Sequence, residues 1–361
     1  MPKYRVAQVG CGQRGEIHLD GWLNNAERFS VEAVCELDIE KARRVIEVRQ
    51  RKVNIFTDAD RMLSEIKPDI FCFATLPNVR LSMVELAVKH KIKAIVFEKP
   101  MATSLDEARK ITDLCRANGI LAIVSHQQKY LTSFEKFKAV LDRGEIGQVT
   151  RIDASCQAWL AQLGTHFIDY ILWANGGVRA QWVIGHVHGK ELLADHHPSP
   201  NYTMGQIGFE NGVRAVVEFG RLAASHMDQD HFWVDNRMTA YGTHGYVWCD
   251  TNGRWGSFNK TTRGEMIGGE DEDWAVQERH RIQPLFAKDL ADCLDDRTKI
   301  HSCNIDVTYH GYEIMEALCL SAMDHKRIDL PLEPGKRDDI FQRMRLELPE
   351  CPELRAEKWE C

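Results

Sequence analysis

Residues 3–10, KYRVAQVG, are a short apolar run that closes on glycine and continues as Gly10-Cys11-Gly12-Gln13-Arg14-Gly15 before a helical pattern begins. Glycines at these three places suit a strand, a tight turn and a helix packed close on that strand, and little else. The following residues repeat the alternation. SVEAVCE (30–36), PDIFCFAT (68–75), AIVFEKP (94–100) and ILAIVSH (120–126) read as short buried strands, while IEKARRVIEVR, SMVELAVKHK and SLDEARKITDLCRANG between them carry helical periodicity. Such apolar runs separated by helices imply crossover connections and a parallel sheet covered on both faces, so the first third is expected to be a doubly wound α/β domain.

The turn also has a chemical reading. Gly10 allows the tight turn, Gly12 lets a ligand's pyrophosphate approach the backbone, and Gly15 lets the helix pack closely, while Gln13 and Arg14 lie between them. Unpaired N–H groups at the helix N-terminus suit phosphate. Glu36 stands 21 residues beyond Gly15, at the end of the second strand. A carboxylate there accepts hydrogen bonds from the adenine-ribose hydroxyls and repels a 2′-phosphate, which points to NAD and away from NADP. Arg14 works against that exclusion if its guanidinium lies near the ribose.

With 361 residues, 44% hydrophobic and 27% charged, the chain is long enough for two packed domains. Its net charge of -7, with no long run of Lys or Arg, argues against a nucleic-acid footprint or an anionic-membrane patch. No 18-residue apolar stretch spans a membrane, and the start, MPKYRVAQVGCG, has no signal-peptide pattern. The 11 cysteines are scattered, with no CxxC pair, so they are expected to be reduced thiols in a cytoplasmic protein.

AIVFEKPMA ends a strand on Glu98-Lys99-Pro100, at the sheet edge where open α/β sheets bind ligands. Proline biases Lys99 toward an extended backbone, so the lysine should project from the strand end. Taken with VGCGQRG, VCELD, TLPNVR, VSHQQKY, SFEKFKAVLDRGEIGQV, GTHFIDYILW and the closing IDLPLE, FEKPMA makes the chain resemble the Gfo/Idh/MocA family, the glucose–fructose oxidoreductase and inositol dehydrogenase group. The resemblance covers almost the whole chain. It implies an N-terminal NAD(P)-binding Rossmann domain, a C-terminal α+β domain with a large open, mainly antiparallel sheet, and hydride transfer at a carbon of a sugar, glycoside or cyclitol.

Carried over residue by residue, Lys99 matches the family lysine beside the substrate hydroxyl and nicotinamide, and His166 its catalytic histidine. Gln162 falls where many members place an aspartate, one helical turn before that histidine. Thr75, Leu76, Asn78, Glu98 and Gln127 are implied to line the cofactor, and Gln128, Tyr130 and Thr165 to join Lys99 and His166 on the substrate side. Glutamine can orient an imidazole but cannot stabilise its cation, so Lys99 is expected to carry more of the electrostatic load, with Gln162 positioning ring or substrate. Asp169, three residues after His166, is the alternative carboxylate, though a structural role is expected of it.

The pattern changes after residue 126. A helix at SFEKFKAVLDRG precedes VTRIDASC, AQWVIGHVHG, YTMGQIGFENG, VRAVVEFG and NRMTAYGTHGYVWCD, strands of an antiparallel sheet in which FENG is a turn. The expected divisions are 1–126 for the cofactor domain, 127–330 for a substrate-binding and oligomerisation domain, and 331–361 for an extension packed on the surface or on a neighbouring chain. Seven of the nine tryptophans lie between Trp159 and Trp274, as sugar platforms or as a face buried in a dimer or tetramer. His186, His188, Asp195, His196 and His197, with His226, Asp228, Asp230 and His231, invite a metal, but their spacing supplies no third ligand at a defined place, so none is expected. The loop Asp195–Tyr202 reads as a substrate-side lid. Two rivals to a dehydrogenase stand beside it: an NAD-retaining glycosidase that oxidises its substrate transiently, and a non-catalytic NAD-sensing regulator.

Overall fold

The computed structural model describes residues 3–195, 197–227, 232–333 and 339–351. They divide into two compact units, one of residues 1–130 with 274–309 and the other of 131–273 with 310–361. The sequence boundaries ran differently, because they assigned 274–309 to the second domain.

In the first unit, β1 (Tyr4–Val9), α1 (Gln13–Leu23), β2 (Phe29–Cys35), α2 (Ile39–Val48), β3 (Asn54–Phe56), α3 (Ala59–Ile66), β4 (Ile70–Phe73), α4 (Arg80–Lys89), β5 (Ala94–Phe97), α5 (Leu105–Ala117) and β6 (Leu121–Val124) follow in order. The six strands form one parallel sheet in the order β3-β2-β1-β4-β5-β6. Every residue of β4 and β5 is buried, as a sheet covered on both faces demands. Asp38, Asp58 and Ser104 start α2, α3 and α5 by accepting from the backbone N–H of Lys41, Arg61 and Glu107.

The segment 274–309 completes this unit. Its helix Gln283–Asp295 buries Phe286, Ala287, Leu290 and Ala291 in one core with Tyr4, Val6, Trp22 and Phe29. A Cβ at Gly21 would lie 2.6 Å from Gln283 Cγ, so glycine lets α1 come this close to the returning helix. Arg28 fastens the other end, donating to Asp292 at 3.0 Å and Asp295 at 2.6 Å. Truncating Phe286 would cost about 3–5 kcal/mol by the usual scale for aromatic core deletions.

The second unit starts with α6 (Thr132–Asp142) and β7 (Val149–Cys156), then α7 (Thr165–Ala174), β8 (Ala180–His188), β9 (Tyr202–Phe209), β10 (Arg214–Gly220), β11 (Asn236–Gly242), β12 (Gly245–Cys249), β13 (Arg254–Asn259), β14 (Ile267–Glu270) and β15 (Ile328–Asp329). They make a nine-stranded sheet in the order β14-β13-β12-β11-β7-β10-β9-β8-β15. Only the β7–β10 pair is parallel among its neighbours. The run NRMTAYGTHGYVWCD is two strands, β11 and β12, paired as a hairpin. FENG is the turn between β9 and β10, with Gly212 at φ 85°. Helices α6 and α7 pack on the sheet. The described part of the C-terminal extension packs on this same unit: Arg345 donates to the Leu193 carbonyl at 3.0 Å, and Cys351 N–H to Glu191 at 2.6 Å. Residues 334–338 and 352–361 lie outside the described residues.

Candidate active site

The glycine-rich turn follows the end of β1. Gly10 has φ 90°, and a Cβ there would lie 2.5 Å from the Ala74 carbonyl oxygen. A Cβ at Gly15 would lie 2.1 Å from the Gly10 oxygen, so both positions exclude any side chain. Gly12 differs. It caps α1 with φ -78°, and a Cβ there would meet only Lys41 Nζ, at 3.7 Å. Its bareness serves no internal contact, which leaves the backbone accessible from outside. The first turn of α1 has no side-chain cap, and Gln13 is exposed at its start. Glu36, past the end of β2, accepts from Cys11 N–H at 3.0 Å and Leu37 N–H at 2.9 Å, and its carboxylate lies 3.7 Å from Lys41 Nζ. Partial burial pushes this carboxyl up, but the backbone donors and Lys41 outweigh burial and hold it below the ordinary value.

Arg14 is engaged by two carboxylates of its own unit. It donates to Glu98 at 3.2 Å and to Glu278 at 2.5 Å. His18 Nε2–H donates to the same Glu98 oxygen at 2.9 Å, and Ser125 Oγ lies 3.3 Å from that nitrogen. Burial pushes the Glu98 carboxyl up; Arg14 and His18 overcome it and hold the group well below the usual carboxylate range. Lys99 follows on the same strand end, half-buried, with a cis peptide to Pro100, and its carbonyl accepts from Arg80 at 3.1 Å. Burial lowers the Lys99 ammonium to about 8, reinforced by Arg14 and Arg80 and opposed by Glu98.

The other expected residues of this unit separate into two groups. Thr75, Leu76 and Asn78 follow β4 at the strand end that neighbours Gly10; Leu76 and Asn78 are exposed, and Thr75 Oγ1 is buried with no hydrogen-bond partner. That orphaned hydroxyl, the open Gly12 and the Glu36 carboxylate fit a dinucleotide laid over the turn. Gln127 is buried against the charge network instead: in the orientation that satisfies both neighbours, its amide donates to the Ser125 carbonyl at 2.9 Å and accepts from Arg14. Tyr130 also faces inward, donating its hydroxyl to Asp289 at 2.5 Å and accepting from Ser302 at 3.1 Å. Gln128, between them, is half-buried in the same turn.

In the second unit, His166 and Thr165 open α7, 5% and 7% exposed. The expectation of a regular helical turn from Gln162 to His166 is not met, because Leu160–Gly164 is a π-helical turn and α7 begins only at Thr165. One partner of the ring comes from the next turn of α7: His166 Nδ1 and the Tyr170 hydroxyl share a hydrogen bond at 2.9 Å. Tyr170 is fully buried, and an edge contact with Phe134 at 5.0 Å helps hold its ring. Sequence reasoning missed Tyr170, although its i+4 spacing from His166 on a helix was the available signal. Thr165 Oγ1 is buried without a partner, and Asp169 is fully buried on α7.

The expected lid is partly packed down. Ser199 and Asn201 are 1% and 2% exposed, and Asn201 accepts from Leu192 N–H at 3.2 Å. Among the described residues no three His, Cys, Asp or Glu side chains gather as a metal-binding group. His196, Asp228, Asp230 and His231 lie outside the described residues. No helix among the described residues is long and apolar enough to cross a membrane.

Comparison with known proteins bears on both units. Residues 4–126 match a family described as "Oxidoreductase family, NAD-binding Rossmann fold" (GFO_IDH_MocA), and residues 134–248 match the "GFO/IDH/MocA C-terminal domain". An uncharacterised oxidoreductase of Bacillus subtilis, YrbE, is 23% identical over 261 residues, 68% of this chain and 73% of that protein. A D-apiose dehydrogenase of Rhizobium rhizogenes is 26% identical over 151 residues, 41% of this chain and 42% of its own length, so less than half of that enzyme is matched. The solved structure of a levoglucosan dehydrogenase in complex with NADH and levoglucosan superposes with a TM-score of 0.78 at 15% identity, over 91% of this chain and 100% of that one.

Proposed function

The chain belongs to the Gfo/Idh/MocA oxidoreductase family, and from that premise we propose that it is an NAD-dependent dehydrogenase transferring hydride between nicotinamide and a ring secondary alcohol of a sugar, glycoside or cyclitol. The observation that carries this reading is the end of β5, where a half-buried Lys99, its ammonium lowered to about 8, stands beside an ionised Glu98. It shares its sheet with the open glycine turn that fits a dinucleotide. The names of the apiose and levoglucosan dehydrogenases support the substrate class.

Alcohol oxidation removes a hydroxyl proton as hydride leaves carbon, and bound NAD would supply the hydride acceptor. In this reading the Lys99 ammonium stabilises the developing alkoxide. His166 takes the hydroxyl proton at Nε2 while its Nδ1–H donates to Tyr170, a contribution of roughly 10²- to 10⁴-fold for a positioned base. A phenol orients the ring without adding negative charge, which makes a carboxylate at position 162 dispensable. Gln162 and Thr165 contact substrate or ring. Glu36 selects NAD over NADP, and Arg14, balanced by Glu98 and Glu278, does not soften that choice.

Exposed Ile184 and Met204 on neighbouring β8 and β9 support assembly into a homo-oligomer, a dimer or tetramer. The described cysteines are unpaired and buried, in keeping with a reducing cytoplasm. The function is tested by incubating the protein with NAD and a panel of sugars, cyclitols and aryl glycosides. NADH formed in step with an oxidised, otherwise intact substrate supports the proposal. Aglycone release without net NADH would replace it with a glycosidase, and tight NAD binding with neither product would replace it with a sensor.

A further inference from the structure

We propose that Glu278 is a positioning residue for Lys99, holding the Arg14 guanidinium against Glu98 and so setting the charge that surrounds the lysine ammonium. The inference rests on the dehydrogenase reading for the use made of Lys99, though the arrangement itself lies wholly within the first unit. Arg14 spans two carboxylates, donating through Nε to Glu98 at 3.2 Å and through Nη1 to Glu278 at 2.5 Å. Both carboxylates are 7% exposed. His18, fully buried, donates to Glu98 at 2.9 Å, and its Nδ1 faces the Gln283 amide nitrogen at 2.8 Å.

Glu278 and Gln283 flank one feature. They stand at the first residue of the π-helical turn Glu278–Ile282 and just beyond its last. Such turns are rare and concentrate at functional sites. Here the turn delivers one carboxylate and one amide to the two side chains of α1 that meet Glu98. A helix meant only to cover the sheet needs apolar residues, which Gln283–Asp295 already supplies through Phe286 and Leu290. A buried acid at 278 adds nothing to that packing and incurs a desolvation cost, so its place is explained by the guanidinium it holds.

The groups that bear on Lys99 include Glu98 beside it, Arg14 from α1 and Arg80 from α4; His18 from α1 bears on Glu98, which in turn holds the buried Cys72 thiol of β4 in its neutral form. Glu98 favours the ammonium, and the two guanidinium groups oppose it. With Glu278 present, Arg14 is shared between two negative charges. With Glu278 neutral, Arg14 acts against Glu98 alone, the surroundings become more positive, and the ammonium is disfavoured.

The test uses the full-length protein and the variants Glu278→Gln and Glu278→Asp. Lys99 acetylation by acetic anhydride is followed against pH by peptide mass spectrometry, a reading that needs neither substrate nor turnover. In parallel, the pH profile of kcat is measured with a sugar that the wild type oxidises. Glu278→Gln should move the labelling midpoint and the alkaline limb down together, by about half to one pH unit, and Glu278→Asp should restore both. A folded, NAD-binding Glu278→Gln with an unchanged labelling midpoint overturns the proposal. Should that variant not fold, Arg14→Gln carries the test with opposite sign: the midpoint rises, and an unchanged midpoint overturns the proposal equally. A shifted midpoint in a protein that oxidises no sugar leaves the positioning intact and removes the dehydrogenase reading instead.

Discussion

Lys99 should set the alkaline limit of turnover. An ordinary lysine titrates near 10.4 and stays almost fully charged at pH 9. Burial beside Arg14 and Arg80 lowers this one to about 8. The ammonium, not the amine, stabilises an alkoxide, so activity should follow the protonated fraction, roughly nine tenths at pH 7 and one tenth at pH 9. kcat for sugar oxidation should therefore fall about tenfold across that interval, measured as initial NADH formation at saturating NAD and sugar. Lys99→Arg separates the charge from its titration, because a guanidinium stays protonated throughout. That variant should lose roughly tenfold or more at pH 7 through altered geometry, yet its remaining rate should stay level to pH 10. The same alkaline fall in Lys99→Arg would assign the limb to another group and refute the reasoning.

Gly12→Ala should fold normally, since its Cβ meets nothing closer than 3.7 Å, but lose roughly tenfold or more in NAD affinity by calorimetry. Gly15→Ala, with a Cβ 2.1 Å from the Gly10 oxygen, should instead lower the melting temperature by many degrees. Tyr170→Phe removes the partner at His166 Nδ1 and should reduce kcat roughly tenfold with NAD affinity unchanged; equal kcat would remove Tyr170 from the site. Glu98→Gln should flatten the acid side of the stability curve. Glu98 is held below its unfolded value, so its stabilisation is complete at neutral pH and fades as pH falls below about 4.3 and through the folded value, as melts at pH 7, 5 and 3 would register.

The parts legible in the sequence were those whose physics is local. Buried strands such as IFCF and AIVF announce a covered parallel sheet, and the spacing of Gly10, Gly12 and Gly15 announces its first turn. The three-residue β3 and the eight-residue α3 were too short to stand out from a loop. The placement of 274–309 was hidden for another reason: the apolar stripe of Gln283–Asp295 shows that the helix is covered, but not by which sheet. Pairings distant in sequence were equally silent. Arg14 read as a cofactor residue because its neighbours are glycines, whereas the structure gives it Glu98 and Glu278, 84 and 264 residues away. Gln162 drew attention as a missing aspartate, and the π-helical turn behind it cannot be inferred from composition. Tyr170 was there to be found at helical spacing.

The central claim, hydride passing between a ring carbon and bound NAD, is tested most directly by isotope transfer. A sugar oxidised by the protein is supplied with deuterium on successive ring carbons, and the NADH produced is weighed by mass spectrometry. The account predicts one deuterium in the nicotinamide for a single labelled position, with the ketone at that carbon. NADH that never carries the label, whichever carbon bears it, would contradict the account.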